Sequence, residues 1–271
     1  MRQFVRHLLF GISESMGRIF LPILLAYIFL GLSYLIPVST NIVPPFFDLS
    51  SPYMALVYFV SQSGKYGLTL IVLLVLITLL RREGQSSKDK INEVIVIAVV
   101  ALILGGAGAV INERVIKTHF EVPRPNIVWL AGKNGTGLLG MSAVDFYAVG
   151  DKEVRREVLS AVLDNNDFIP LSSPIKLHWG YETGYSFPSG HSFSAMFFAI
   201  FLFLICSTLI KDRNVRWIYV LLPWGVAVCF SRPMLGVHTP TDVFVGGLQG
   251  GLLGTFAWGI SIKLIRKINS T

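Results

Sequence analysis

Charge is scarce in this chain. Asp, Glu, Lys and Arg make up 14% of its 271 residues, where soluble domains carry about 25%, and that shortage excludes a water-solvated surface over most of its length. Cysteine is scarce as well: Cys206 and Cys229 both fall inside apolar runs and read as small core residues. No internal repeat or low-complexity tract is present. The formal net charge of +7 gathers on no basic face outside the apolar segments, so a nucleic-acid-binding role is excluded.

Hydrocarbon takes the place of charge. Hydrophobic residues account for 53% of the chain, and six stretches approach the ~20 apolar residues that cross a bilayer: 18–37, 53–80, 92–112, 191–210, 215–230 and 240–262. The expected fold is therefore an all-α integral membrane protein with six transmembrane helices. Gly64, Lys65 and Gly67 interrupt the second stretch and leave 53–60 as an interfacial lead-in. The first stretch is long and lacks a small-residue cleavage site, so it reads as a retained helix.

Lys and Arg concentrate on the cytoplasmic side of membrane proteins. With six spans, the termini share a side with the loops at 81–91 and 211–216. That side holds thirteen of the 23 basic residues, among them Arg2, Arg6, Lys211 and Arg213, against five of the 16 acids, among them Glu14 and Asp212. The termini are expected in the cytoplasm, and the basic pI of about 9.5 reflects topology.

On the opposite side, 126–185 departs from membrane composition and reads as a small, mostly helical cap between spans three and four. Within it "DKEVRREVLSAVL" places Val154, Val158, Leu159 and Val162 on one face, with Asp151 as N-cap. This amphipathic helix is expected to pack on the protein, the alternative being the headgroup plane. The chain divides into 1–125 with spans one to three, the cap at 126–185, and 186–271 with spans four to six.

Polar residues stand at span ends on the cap side in three groups: "KTHFEVPRP" from Lys117, "PSGH" from Pro188, and "SRPMLGVHTPTD" from Ser231. Lys117, Arg124 and Arg232 would repel one another if they converged without an anion. Arginine offers a planar fork matched to phosphate oxygens, and lysine a mobile point charge. The alternative for each is snorkelling to lipid headgroups. Pro188 ends the preceding chain, so Ser189 and Gly190 open span four, where unpaired N–H groups and the positive dipole form an anion cradle. His191 would present a titratable nitrogen there; the plainer reading is a helix cap beside an interfacial histidine.

His238 and Asp242 lie four apart, with Pro240 suited to the first turn of span six. A carboxylate one turn from an imidazole can accept its Nδ1–H and leave Nε2 as a nucleophile. The pair could also be half of a metal site, but no clustered carboxylates or cysteines complete a shell and the cations would repel a metal. Glu182, Trp179, Tyr181 and Tyr185 precede PSGH closely and read as an interfacial aromatic belt, the alternative being contact with a headgroup. His119 and His178 read as loop histidines.

Together, Lys117-x6-Arg124-Pro125, Pro188-Ser189-Gly190-His191 and Ser231-Arg232-x5-His238-x3-Asp242 resemble the three-motif signature of the type 2 phosphatidic acid phosphatase (PAP2) superfamily. No motif position departs from it. "PRPNIVWL", "VDFYAV" and "HWGYETGYSFPSGH" resemble, within that family, a bacterial branch of six-span inner-membrane phosphatidylglycerophosphate phosphatases with a periplasmic site. The likeness is strongest over 117–242.

The resemblance implies His238 as nucleophile, Asp242 as its orienting partner and His191 as proton donor to the leaving oxygen. It also implies Lys117, Arg124, Arg232, Ser189 and the Gly190 N–H as phosphate ligands, with no metal or cofactor. The implied partner is a lipid phosphate: phosphatidylglycerophosphate first, then undecaprenyl diphosphate, phosphatidic acid and diacylglycerol diphosphate. The other readings are a phosphotransferase passing the phosphoryl group to another lipid and, remotely, a transporter whose intramembrane charges line a path.

Overall fold

The computed structural model describes residues 2–40, 45–166, 169–210 and 213–270, and the side chains of 17–40, 45–166, 169–210 and 216–270. The side chains of Arg2, Arg6, Glu14, Lys211, Asp212 and Arg213, counted above for topology, lie outside the described residues. The described residues form helices and the loops that join them, without a strand. Six segments are long and apolar enough to cross a membrane: Gly17–Leu35, Pro52–Arg81, Ser87–Ala131, Gly190–Leu209, Arg216–Met234 and Pro240–Ile268.

Several boundaries differ from the sequence reading. Span two is one continuous helix, because the Gly64–Lys65–Gly67 stretch is absorbed as a π-turn at Ser63–Gly67, and Met54, Val57 and Tyr58 pack into the cap core. The helical path of span three continues past Asn112 to Phe120, so Lys117 sits in its last turn. Span five runs on through Ser231, Arg232 and Pro233. Polar residues end an apolar run in a sequence without ending the helix, because buried partners satisfy them.

Span four is the central helix. Its apolar window is 72% buried, against 17% for spans one and two, as expected of a helix that is hydrophobic all round. It packs chiefly on span six through a glycine ladder at helical spacing. A Cβ at Gly246 would lie 2.5 Å from the Ser189 carbonyl, one at Gly250 2.1 Å from that of Phe193, and one at Gly254 2.6 Å from that of Phe197. Small residues four apart let two backbones touch where lipid supplies no hydrophobic drive.

A second apolar cluster caps the bundle at the end that carries the three motifs. Ile127, Leu130, Phe146, Leu159, Ile175 and Trp179 pack there with Leu235 and Val237 from the turn between spans five and six. Asp151 does cap the helix Lys152–Asp164, accepting from the N–H groups of Glu153 and Val154. The helix packs on the protein through Leu159 and Leu163. Val154, read as part of the apolar face, is exposed, and Arg155 is buried instead because its Nη1 donates to the Tyr147 carbonyl at 3.1 Å. Cys206 and Cys229 are both buried.

Gly250→Val should lower the melting temperature of the detergent-solubilised protein by the equivalent of about 1–3 kcal/mol, the usual cost of overpacking. Gly259→Ala should not lower it, since a Cβ there meets nothing within 4 Å and alanine favours a helix interior over glycine. Equal melting of both variants would contradict the ladder.

Candidate active site

Two backbone hydrogen bonds knit the motifs together, and a third closes the turn inside the last of them. The Ser186 N–H donates to the Val122 carbonyl at 2.8 Å, the Ser189 N–H to that of Asp242 at 2.9 Å, and the Val237 N–H to that of Arg232 at 3.2 Å. Each side chain is then aimed by the element it stands on. Pro188 follows a cis peptide bond, and Ser189 is the N-cap of span four, its Oγ accepting from the Ser192 N–H at 3.3 Å and the Ser192 hydroxyl at 3.0 Å. Gly190 begins the helix with open space where a Cβ would stand. His191 follows, its Nε2 buried and without a partner. Span six opens with Pro240 in its first turn and a capping box, in which Asp242 accepts from the Thr239 N–H at 2.7 Å and donates its own N–H to Thr239 Oγ1 at 3.1 Å.

The Asp242 carboxylate thus serves helix and histidine at once. Its Oδ2 lies 3.4 Å from His238 Nδ1, close enough for attraction, while Nδ1 makes no formed hydrogen bond. On the other edge of the ring, Arg124 Nη1 lies 3.0 Å from Nε2. A guanidinium only donates, so Nε2 carries the lone pair and Nδ1 the proton, on the Asp242 side. Burial, then the charges of Arg124, Arg232 and Lys117, holds His238 neutral, well below the usual imidazole range.

Arg124 is fixed on several sides. Its Nε donates to the Gly184 carbonyl at 2.8 Å and Nη1 to that of Val237 at 3.0 Å. Its backbone N–H donates to the Tyr147 hydroxyl at 3.1 Å. Arg232 is fully buried; its Nη1 donates to Ser61 Oγ at 2.7 Å and to His178 Nε2 at 3.1 Å. The anion that converging cations require is present in the chain itself: Glu182 accepts from Arg124 Nη2 at 2.7 Å and Arg232 Nη2 at 2.5 Å. Although burial alone would raise the Glu182 carboxyl, the two guanidiniums hold it well below the carboxylate range. Lys117 Nζ pairs with Glu113 at 2.9 Å.

All eight sequence-predicted residues therefore gather at one end of the bundle, as do three that were read otherwise. Glu182 is no part of an interfacial belt, and neither is Trp179, whose indole N–H donates to the Leu235 carbonyl at 2.8 Å inside the cap core. Tyr185 stacks on Tyr147 at 4.6 Å, and Tyr181 is exposed. His178 is a buried helical residue lowered to about 3 by burial and by Arg232, so it stays neutral beside that arginine. Its four-residue spacing from Glu182 was the available signal, parallel to that of His238 and Asp242. His119 lies outside the site and is exposed.

Lys117, Arg124, Glu182, Gly190, His191 and His238 line one cavity of about 650 Å³, within the range of small-molecule sites. Two fixed guanidiniums on a carboxylate, an imidazole lone pair at one of them and a second unpartnered imidazole nitrogen have the chemistry needed to bind an anion and to attack it.

The chain is 32% identical over 159 residues to phosphatidylglycerophosphatase B of Escherichia coli (strain K12), a match covering 58% of this chain and 57% of that protein. It is 29% identical over 213 residues to phosphatidylglycerophosphatase B of Haemophilus influenzae, covering 76% and 81%. To a lipid A 4'-phosphatase of Bacteroides thetaiotaomicron it is 33% identical over 87 residues, 32% and 36% of the two chains. The aligned stretch thus spans little more than half of the E. coli relative. The PAP2 superfamily pattern matches residues 94–266, from span three through all three motifs, and the chain belongs to that superfamily.

Proposed function

We propose that this protein is a metal-independent phosphatase of membrane lipid phosphates, working through a phosphohistidine on the periplasmic face of a bacterial inner membrane, with both termini in the cytoplasm. One observation carries the reading: the Arg124 guanidinium touches the Glu182 carboxylate at 2.7 Å and His238 Nε2 at 3.0 Å. An anion taking the place of that carboxylate would lie within reach of the lone pair.

In the first step His238 Nε2 attacks phosphorus as Arg124 Nη1 turns from the ring to a phosphoryl oxygen. The bond to the lipid oxygen breaks, and protonated His191 gives that oxygen its proton. Water then attacks the phosphohistidine, His191 takes a proton from it, and the P–N bond breaks to release phosphate, which returns His238 to the neutral imidazole and His191 to its protonated form. Asp242 steadies the Nδ1–H and the positive charge of the phosphorylated ring. Arg124, Arg232, Lys117, Ser189 and the Gly190 N–H hold the non-bridging oxygens, where preorganised donors stabilise the transition state most. Phosphatidylglycerophosphate is the first candidate substrate, supported by the likeness to the phosphatidylglycerophosphatase B proteins of E. coli and H. influenzae. Undecaprenyl diphosphate, phosphatidic acid and diacylglycerol diphosphate fit the same chemistry.

The purified protein should release phosphate from these lipids in detergent with a chelator present. His238→Ala should lower that rate by about 10³ or more, as loss of a covalent nucleophile does; undiminished release by this variant would end the proposal. Glu182→Ala strands two buried guanidiniums, a loss of about 3–5 kcal/mol for a broken buried pair. Its melting temperature should fall, and inorganic phosphate should raise it more than it raises that of the unaltered protein. An equal phosphate response in both would mean that the anion does not replace the carboxylate.

A further inference from the structure

The cavity extends beyond the residues used above. Lys65 from the π-turn of span two, and Lys152 and Arg156 from the cap helix Lys152–Asp164, line the same space as His191 and His238. Lys152 and Arg156 are four apart on one helix, a like-charge spacing that disfavours the helix unless an anion answers it. Among the described residues, Lys65 and Arg156 have no carboxylate within 4 Å. Each is held by an aromatic ring instead: Lys65 Nζ lies 4.9 Å from the Tyr66 centroid and the Arg156 guanidinium 4.5 Å from that of Tyr181. Arg156 Nε is buried with no hydrogen-bond partner.

Lys152 ties this group to the first. Its Nζ pairs with Glu113, the carboxylate that also holds Lys117, and lies 3.4 Å from a Cβ placed at Gly184, whose carbonyl receives Arg124 Nε. The Lys152 carbonyl accepts from Thr183 Oγ1 at 3.0 Å, so the helix is moored to the stretch that carries Glu182. Snorkelling accounts for one lysine near a membrane boundary. It does not account for an arginine and a lysine from the cap that line the wall of a catalytic cavity.

We infer that Lys65, Lys152 and Arg156 form a second anion subsite, which binds the phosphate left on the lipid after the terminal one has gone to His238. The assignment rests on the phosphatase reading and sharpens it. The preferred substrates carry two phosphates in the head, either as a diphosphate ester or as a phosphomonoester separated from a phosphodiester by glycerol. A monophosphate such as phosphatidic acid leaves the second subsite empty.

The test compares kcat/KM of the purified full chain in detergent on undecaprenyl diphosphate, phosphatidylglycerophosphate and phosphatidic acid, for Lys65→Gln, Arg156→Gln and Arg156→Lys. Each Gln variant should lose about tenfold more on at least one two-phosphate lipid than on phosphatidic acid, the size of one charge-assisted hydrogen bond. Arg156→Lys should recover part of the loss. Whichever two-phosphate lipid shows the larger loss identifies the headgroup spacing the subsite fits. Equal losses on all three lipids, as a merely structural role would give, or no loss on any, overturn the subsite alone. An unaltered protein inert on all three removes the phosphatase reading and the subsite together.

Discussion

The closeness of spans four and six is the constraint on which the site depends. Gly246, Gly250 and Gly254 let the backbone of span six reach the carbonyls of Ser189, Phe193 and Phe197, and the first rung lies beside the helix start that presents Gly190 and His191. The same contact brings the Ser189 N–H to the Asp242 carbonyl. A side chain at the first rung would push the unpaired N–H groups of one helix away from the histidine–carboxylate pair on the other. Lipid cannot squeeze two helices together as water does, so shape has to supply the closeness.

Electrostatics follows from that geometry. Arg124 and Arg232 are buried at one end of an apolar bundle, where an unpaired charge is costly. The chain answers with Glu182, which spans both guanidiniums. The two guanidiniums are thereby held in place by a carboxylate of the chain itself. The neutral tautomer of His238 comes from the same source, since a guanidinium on Nε2 can only donate to it.

Much of this was legible in the chain. The six spans, the Ser189 and Asp151 caps, Pro240 in the first turn and the three motifs all rest on local rules of hydropathy, turns and helix ends, and such rules act on neighbours in sequence. The helix ends of spans three and five were misplaced because Lys117 and Arg232 look like termini by polarity, while their partners Glu113 and Glu182 keep them inside helices. The glycines of "GGLQGGLLG" carry a visible four-residue spacing that hydropathy alone passes over. His178 and Glu182 looked like part of a loop and an aromatic belt because nothing near them in sequence is their partner: Arg232 lies about fifty residues on.

The sequence by itself therefore determined the class of protein, the number of spans, the three motifs and the kind of ligand that three cations would need. Tertiary structure alone decided which carboxylate spans the two buried guanidiniums, which arginine meets Nε2 of His238, and which cap cations share the cavity. Periodicity and capping are short-range and can be read residue by residue. Pairing of buried charges is long-range, and it is settled only when the backbone brings distant groups within a few ångströms of one another.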